Sequence, residues 1–218
     1  MSTRLTEPIA AKRQPLRHPC AKRTFDVIAS SVALVVLSPV MAVVAFAVRA
    51  TSPGPALFRQ RRIGRDQRPF LVLKFRTMVD GAERLGRETA GSSDPRITQF
   101  GAVLRRTKLD ELPQLVNVLR GEMSVVGPRP EIPFYAENYL PEDQVVLSVR
   151  PGITDPSSLQ LADLDGLMET RGEQSPAEFY SQIVQPQKIQ LQKHYIANQT
   201  LWGDVKIIFA TMVRIVRR

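Results

Sequence analysis

Residues 104–130 read LRRTKLDELPQLVNVLRGEMSVVGPRP, and the rest of the chain is understood from them. Two carboxylates, Asp110 and Glu111, stand side by side among cations: Arg105, Arg106 and Lys108 before them, Arg120 and Arg129 after. Pro113 suits a first helical turn, where its missing N–H would have no intrahelical partner. Leu112, Leu115, Val116 and Leu119 recur at helical spacing, and Gly121 is a natural stop. The pattern therefore predicts a helix with the acid pair at or just before its N-terminus. Thr107 with Asp110 three residues on offers a competing capping-box register. Either register places the carboxylates near the positive end of a helix dipole, which favours anions and can hold phosphate oxygens.

Acids are common in a first helical turn, so the pair alone is also what a plain helix start looks like. The second half of the stretch adds to it. Ser124-Val125-Val126 reads as a short buried strand, and Gly127-Pro128-Arg129-Pro130 follows. A residue before proline is pushed to extended conformations, so the Arg129 guanidinium is offered from a stiff backbone. Such an arginine suits a phosphate; a turn arginine in a surface ion pair is the plainer alternative.

The chain has 218 residues, enough for one domain with a real core. A hydrophobic fraction of 43% is ordinary for a globular protein and too low for a multi-span membrane protein. The formal charge of +9 points to an anionic partner: nucleic acid, an anionic membrane surface or a phosphorylated substrate. One cysteine, Cys20, allows no internal disulfide, which suits the cytoplasmic side. His18 and His194 stand far apart, so a zinc site is not expected.

Residues 1–21 are polar, basic and proline-rich, the composition of a disordered tail. Residues 27–48 form the longest uncharged run, VIASSVALVVLSPVMAVVAFAV. As one straight helix it would extend about 33 Å, enough to cross a bilayer core. Two features point elsewhere. Ser38-Pro39 sits mid-run, where proline kinks or breaks a helix. Both flanks are basic, Lys22 and Arg23 before and Arg49 after, which the positive-inside rule places on one face. A helix that enters, bends at Ser38-Pro39 and returns fits these residues; so does a spanning helix that tolerates its proline.

Residues 51–55 are turn-forming, and a basic run follows with Arg59, Arg61, Arg62, Arg65 and Arg68, flanked by Phe58 and Phe70. Gly64 to Pro69 reads as a turn between two strands. The second strand alternates, with Leu71, Leu73 and Phe75 on one face and Val72, Lys74 and Arg76 on the other. Lys74 and Arg76 thereby become candidates to face the site. Basic residues among aromatics also suit single-stranded nucleic acid, but no RNA-binding motif accompanies them. Residues 80–97 are polar, with the signature of a short helix and a loop able to act as a lid. Residues 131–149 hold a helical segment with Val145, Val146 and Val149 inward. Arg150 to Thr154 reads as a tight turn presenting another arginine. Residues 179–195 are helical in pattern and interrupted by Pro186. Residues 201–218 form a basic amphipathic helix with Leu201, Val205, Ile208, Phe209, Met212 and Val216 on one stripe and Trp202 near the headgroups. Packing that helix on the domain's own core is the alternative.

The central run LRRTKLDELPQLVNVLRGEMSVVGPRP resembles the monotopic phosphoglycosyl transferases, the bacterial initiating sugar transferases. So do KRTFDVIAS near the start, FRQRRIGRDQRPFLVLKFRTM before the site and VRPGIT after it, and together these motifs carry the resemblance over residues 22–218. Beside the disordered basic tail read at 1–21, it implies an α+β, mostly helical fold with a re-entrant membrane helix at 22–50 broken at Ser38 and Pro39, and a cytoplasmic catalytic domain at 51–218. That domain would carry a small β-hairpin and interfacial amphipathic helices, on the bacterial inner membrane. One departure stands out: Asp155-Pro156-Ser157-Ser158-Leu159 replaces a Gln-Val-Asn-Gly-Arg-like run, which bears on sugar or nucleotide specificity.

The implied reaction moves a sugar-1-phosphate from a nucleotide diphosphate sugar, a UDP-sugar, to a polyprenyl phosphate such as undecaprenyl phosphate, starting exopolysaccharide or another glycoconjugate. A carboxylate can attack a phosphoryl centre and split the transfer into two easier steps. The anionic pyrophosphate repels it, so a divalent cation is needed, and magnesium favours carboxylates with phosphates and water. The resemblance then assigns Asp110 as nucleophile, Asp110 and Glu111 as magnesium ligands with Glu111 assisting proton transfer, Arg105, Arg129 and Lys74 to phosphates, and Arg150 to the nucleotide. No nucleic acid is implied, and a homodimer is only the common default. Two rivals remain: a non-enzymatic membrane-surface scaffold, which predicts tolerance of Glu111→Gln, and a nucleic-acid-binding membrane protein, whose affinity would fall steeply with salt. Neither accounts for two acids inside the basic cluster.

Overall fold

The computed structural model describes residues 19–82, 94–161, 172 and 174–217. The tail at 1–18 and the central part of the expected lid, 83–93, lie outside the described residues. The fold is α+β and mostly helical, with two small two-stranded sheets among the described residues.

Helix α1 (Pro19–Thr51) runs 33 residues and is long and apolar enough to cross a membrane. It begins at Pro19, inside the stretch read as tail. The break expected at Ser38-Pro39 is not an interruption: one helix is assigned straight through Pro39. A proline removes a single helical hydrogen bond. Ser38 Oγ donates to Val35 O at 2.9 Å, holding one carbonyl in the turn before it. The middle of α1 is bare apolar surface, with Val35 75% and Phe46 76% exposed.

Both ends of α1 are fastened to the same domain. Near its start, Arg23 donates to Val118 O at 2.6 Å and Leu119 O at 2.9 Å. Asp26 Oδ1 accepts from Lys22 Nζ at 2.9 Å, and from Ser124 Oγ and Val125 N, each at 3.1 Å. At its end, Val44 and Val48 pack with Phe75 and Leu104. Arg76 donates to the carbonyls of Ser52 and Pro53. Arg76 is therefore a cap on the α1 terminus, a role that the strand alternation alone did not predict.

Strands β1 (Leu57–Ile63) and β2 (Pro69–Phe75) form the expected hairpin, antiparallel with Leu57 opposite Phe75 and Ile63 opposite Pro69. The expected apolar stripe fails at Leu71, which is 49% exposed, while Val72 is buried against Val118 and Met123. The hairpin is tied down by Asn117. Its Oδ1 accepts from Leu73 N at 3.0 Å, and its Nδ2 donates to Leu71 O at 2.8 Å.

Helix α2 (Gln99–Thr107) starts at Thr98, whose side chain accepts from Gly101 N. Helix α3 (Gln114–Arg120) starts at Pro113 and ends at Gly121, which takes φ +81°. Strand β3 (Ser124–Val126) is the buried strand expected. Its partner is β4 (Gly152–Thr154), parallel, in the segment read as a turn. The two strands meet where Gly127 and Gly152 touch: a Cβ on Gly152 would lie 2.1 Å from Gly127 N.

Between them, the expected single helix is two short pieces, α4 (Pro133–Ala136) and a 3-10 segment (Pro141–Ser148). Val146 and Val149 are buried as expected, and Val145 is half-buried. Helix α5 (Pro156–Gln160) is capped by Asp155, which accepts from Ser157 N at 3.0 Å, and Gln192 Nε2 reaches the same carboxylate. The departure from the expected motif is thus a buried helix cap. Helix α6 (Pro176–Phe179) passes through a π-turn (Tyr180–Val184) into α7 (Gln185–Ala197). The wide turn directly precedes Pro186, so the expected interruption is a π-turn inside one continuous helical run.

Helix α8 (Leu201–Val216) has two faces. Ile207 and Ile208 pack on the core formed by Val126, Tyr139, Val146, Val149, Ile189, Tyr195 and Ile196. Trp202, Val205, Phe209, Met212 and Val216 are exposed. Asp204 turns inward, accepting from Tyr195 OH at 2.7 Å and pairing with Lys22 at 3.0 Å. The reading that packs this helix on the domain's own core holds for one face, which includes Ile208 of the expected stripe, and the rest of the stripe is exposed or half-buried.

Candidate active site

The acid pair sits on a 3-10 turn (Leu109–Glu111) between α2 and α3, not in the first turn of α3. Thr107 does not cap α3, since its Oγ1 donates back to Val103 O at 2.9 Å. The chain leaves α2 through Lys108, a non-glycine residue at φ 59°. That left-handed conformation costs about 1 kcal/mol or more and turns the chain sharply into the acids. Leu109 and Leu112 bracket the pair and pack against the cluster that contains Val44 and Val48 of α1. Apolar contacts therefore fix the acids beside the returning end of the long helix.

The two carboxylates are in unlike settings. Glu111 is held by Arg129, whose Nη2 lies 2.6 Å from Oε1 and Nη1 3.3 Å from Oε2. Lys74 Nζ stands 3.6 Å from the same Oε1. Burial pushes this carboxyl up, but the pull of Arg129 and Lys74 outweighs it and holds Glu111 well below the usual carboxylate range. Asp110 is equally buried, at 7% exposure, yet its Oδ1 has no hydrogen-bond partner. Burial, and next the neighbouring Glu111 charge, raise its pKa against the pull of Lys74, Lys108 and Arg129. The pair is buried in a charged setting, not an apolar one.

The surrounding cations are held from several elements. Lys74 projects from β2, and burial lowers its pKa to about 8 despite the nearby Glu111. Arg129 follows β3 and is raised above its ordinary value by Glu111. Arg105 donates from Nε to Thr77 Oγ1 at 2.9 Å and feels the Asp110 charge. A close approach allows this: a Cβ on Gly101 would lie 2.0 Å from Thr77 O.

The structure thus brings Lys74, Arg105, Asp110, Glu111 and Arg129 together. Arg150 stands apart. Its Nε donates to Gly121 O at 2.8 Å, and burial, then Arg23 and Arg65, lower its pKa. Ser38 and Pro39 lie far along the exposed part of α1.

Two residues not assigned to the site from the sequence line a small cleft with Lys74 and Arg129: Arg62, named there only as part of the basic run, and Gln114. Strand alternation held the signal for Arg62, since β1 exposes Arg59 and Arg61 and turns Gln60 and Arg62 inward. Gln114 is four residues after Asp110, the spacing of neighbours on one helical face.

No group of three or more His, Cys, Asp or Glu able to hold a metal occurs among the described residues. A magnesium ion needs fewer protein ligands, since phosphates and water complete its shell. The partnerless Asp110 Oδ1 suits that role. Glu111 would first have to loosen its pair with Arg129.

Residues 17–218 match the bacterial sugar transferase family. The chain is similar to the UDP-glucose:undecaprenyl-phosphate glucose-1-phosphate transferase of Escherichia coli, with 39% identity over 196 residues that cover 88% of this chain and 39% of that one. A protein of the same name in Caulobacter vibrioides is 38% identical over 194 residues, covering 88% of this chain and 68% of that one. The exopolysaccharide production protein PSS of Rhizobium leguminosarum bv. phaseoli is 39% identical over 199 residues, covering 88% and 93%. The chain therefore spans about two fifths of some relatives and nearly the whole of another. A match over almost its full length, with these identities, places the chain in the bacterial sugar transferase family.

Proposed function

We propose that this chain transfers a sugar-1-phosphate from a UDP-sugar to undecaprenyl phosphate through a covalent intermediate on Asp110, and so starts exopolysaccharide synthesis. The observation that carries this reading is the Asp110 carboxylate: buried, partnerless at Oδ1 and surrounded by cations. An under-solvated, basic carboxylate is a strong nucleophile once ionised. Its oxygen attacks the phosphorus next to the sugar. An Asp110–phosphorus bond forms, the pyrophosphate bridge breaks and UMP departs with the bridging oxygen. An oxygen of the lipid phosphate then attacks the same phosphorus, the bond to Asp110 breaks, and the lipid carries a diphospho-sugar.

Arg129 and Lys74 orient Glu111 and supply positive charge beside it, and Arg105 does so next to Asp110. A magnesium ion, with Asp110 as its best-placed ligand, would supply further charge neutralisation of the pyrophosphate.

The anchoring of α1 supports a re-entrant helix on the cytoplasmic face of the inner membrane. Its first and last turns both bind the domain, through Arg23 and Asp26 at one end and Val48 at the other. A spanning helix would carry residues 19–26 to the opposite side and break those contacts. Re-entry keeps the acids at the interface, where the phosphate of a lipid acceptor lies. Cys20, the sole cysteine and exposed, reports the topology. A membrane-impermeant maleimide should label it in inverted membrane vesicles and not in intact spheroplasts; the reverse pattern means a spanning helix.

Release of UMP from a panel of UDP-sugars, dependent on undecaprenyl phosphate in detergent, tests the reaction. No release from any UDP-sugar, with the protein folded, would rule it out for these donors.

A further inference from the structure

The cleft beside Glu111 is lined by Arg62, Val72, Lys74, Gln114, Arg129 and Pro130. Its charges do not balance. Glu111 pairs with Arg129 and Lys74, and Asp110 acts on the same two, so two acids face three cations. The next acid along, Glu131, is 3.9 Å from Arg62 but is already engaged by Lys188 Nζ at 2.8 Å and Tyr180 OH at 2.9 Å. The three cations are only half-buried, and their excess over the acids offers a place to an anion from outside.

Gln114 supplies the second, independent sign. It is 2% exposed, and its Nε2 is a buried donor without a partner. Buried amide donors are nearly always satisfied, and one left open in a cation-lined cleft is complementary to an anionic oxygen. Arg62 is held in place at the cleft wall: its Nη1 donates to Pro130 O at 3.2 Å and its Nη2 to Gln60 Oε1 at 2.7 Å. A guanidinium has five N–H donors, so others remain for a ligand.

We infer that Gln114 and Arg62 complete a diphosphate subsite with Lys74 and Arg129, with the Gln114 amide donating to a phosphate oxygen. This rests on the transferase reading for its assignment to the donor's pyrophosphate, whereas the anion site itself does not. In that assignment Gln114 holds the departing phosphate while Asp110, one helical turn earlier, meets the phosphorus that stays with the sugar.

The test is titration of the full chain in detergent with inorganic pyrophosphate, followed by calorimetry. Gln114→Met keeps the shape and removes the donor. It should weaken binding about tenfold or more, the usual worth of a hydrogen bond to a charged group. Gln114→Glu, which replaces the amide donor with an anionic oxygen that repels phosphate, should abolish measurable binding. Arg62→Met, at a less buried position, should also weaken it about tenfold, and it keeps the test open where a Gln114 variant fails to fold. Folded variants at both positions that bind pyrophosphate within twofold of wild type overturn the inference.

The two readings fail separately. Turnover of a UDP-sugar with unchanged pyrophosphate binding in the variants ends the subsite alone. Pyrophosphate binding that depends on Gln114, without UMP release from any UDP-sugar, keeps the subsite and ends the transferase reading. Where both hold, Gln114→Met raises KM for the UDP-sugar more than it lowers kcat.

Discussion

Two buried ionic clusters in this molecule are built from similar parts and finished differently. In the anchor cluster, Lys22 of α1 lies between Asp26 and Asp204, at 2.9 and 3.0 Å. Ser124, Val125 and Tyr195 donate to the same two acids. In the acid-pair cluster, Glu111 is comparably held, but Asp110 Oδ1 and Gln114 Nε2 have no partner. In the first cluster every charge meets an opposite one, although Asp204 Oδ2 faces Lys22 outside hydrogen-bond geometry, and three helices and a strand are tied together. The second leaves a carboxylate oxygen and an amide donor open. Burial with each charge in an ion pair suits structure; burial of a carboxylate oxygen with neither hydrogen bond nor ion pair stores reactivity at a cost in stability.

The sharpest way to break that contrast is Asp110→Asn. It should lower phospho-sugar transfer about a thousandfold or more, as expected for loss of a nucleophile. It should also raise thermal stability. The carboxyl's folded pKa lies above its unfolded value, so stability is fullest at low pH and is lost as pH rises through the folded pKa. At neutral pH the ionised group therefore costs stability, and the amide relieves it. A melting curve beside the activity assay reads both, and a variant that is inactive and less stable contradicts the contrast.

The opposite outcome belongs to the anchor. Asp204→Ala removes a fully buried carboxylate from an ion-paired cluster and should destabilise by about 3 kcal/mol, chiefly by stranding part of the Lys22 charge. Denaturation in detergent measures it. A loss under about 1 kcal/mol would mean that the cluster does not hold α1 down.

A smaller effect should appear in the pH profile. Lys74 titrates near 8, below its ordinary 10.5, beside Glu111, Arg129, Arg62 and Asp110. The unfolded chain holds this proton more tightly, so from about 8 to 10.5 stability rises with pH while the site loses a positive charge. Activity should therefore decline above about pH 8, approaching tenfold per unit, and Lys74→Arg should flatten that limb. A profile unchanged by Lys74→Arg would remove Lys74 from phosphate binding. The least effect is expected at Arg150, which donates to Gly121 O away from the acids. Arg150→Ala should change kcat less than about threefold, as surface-type substitutions outside the reacting groups do.

What was legible in the sequence follows from distance along the chain. The acid pair, the hairpin with its Gly64–Pro69 turn and the amphipathic end helix are local patterns of period two or 3.6, and all three stand in the structure. Pairing of β3 with β4 was not legible, because three-residue strands carry no periodic signal and their contact depends on two glycines far apart in sequence. Nor was the anchor, where Lys22 meets Asp204 across nearly the full chain. Arg76 looked like a site residue from its strand face, yet its length carries it to the end of α1. At the site, residue types were legible, but which acid is paired and which is open depends on where Arg129 lands.

The central claim is that the open carboxylate is the one that takes the phospho-sugar. Purified wild-type chain mixed with a UDP-sugar labelled in the sugar-linked phosphate, without lipid acceptor, should become radioactive at Asp110. The label should leave on addition of undecaprenyl phosphate, and Asp110→Asn should take up none. Transfer to lipid at full rate, with no label trapped on the chain in rapid-quench samples and undiminished activity in Asp110→Asn, would contradict the account.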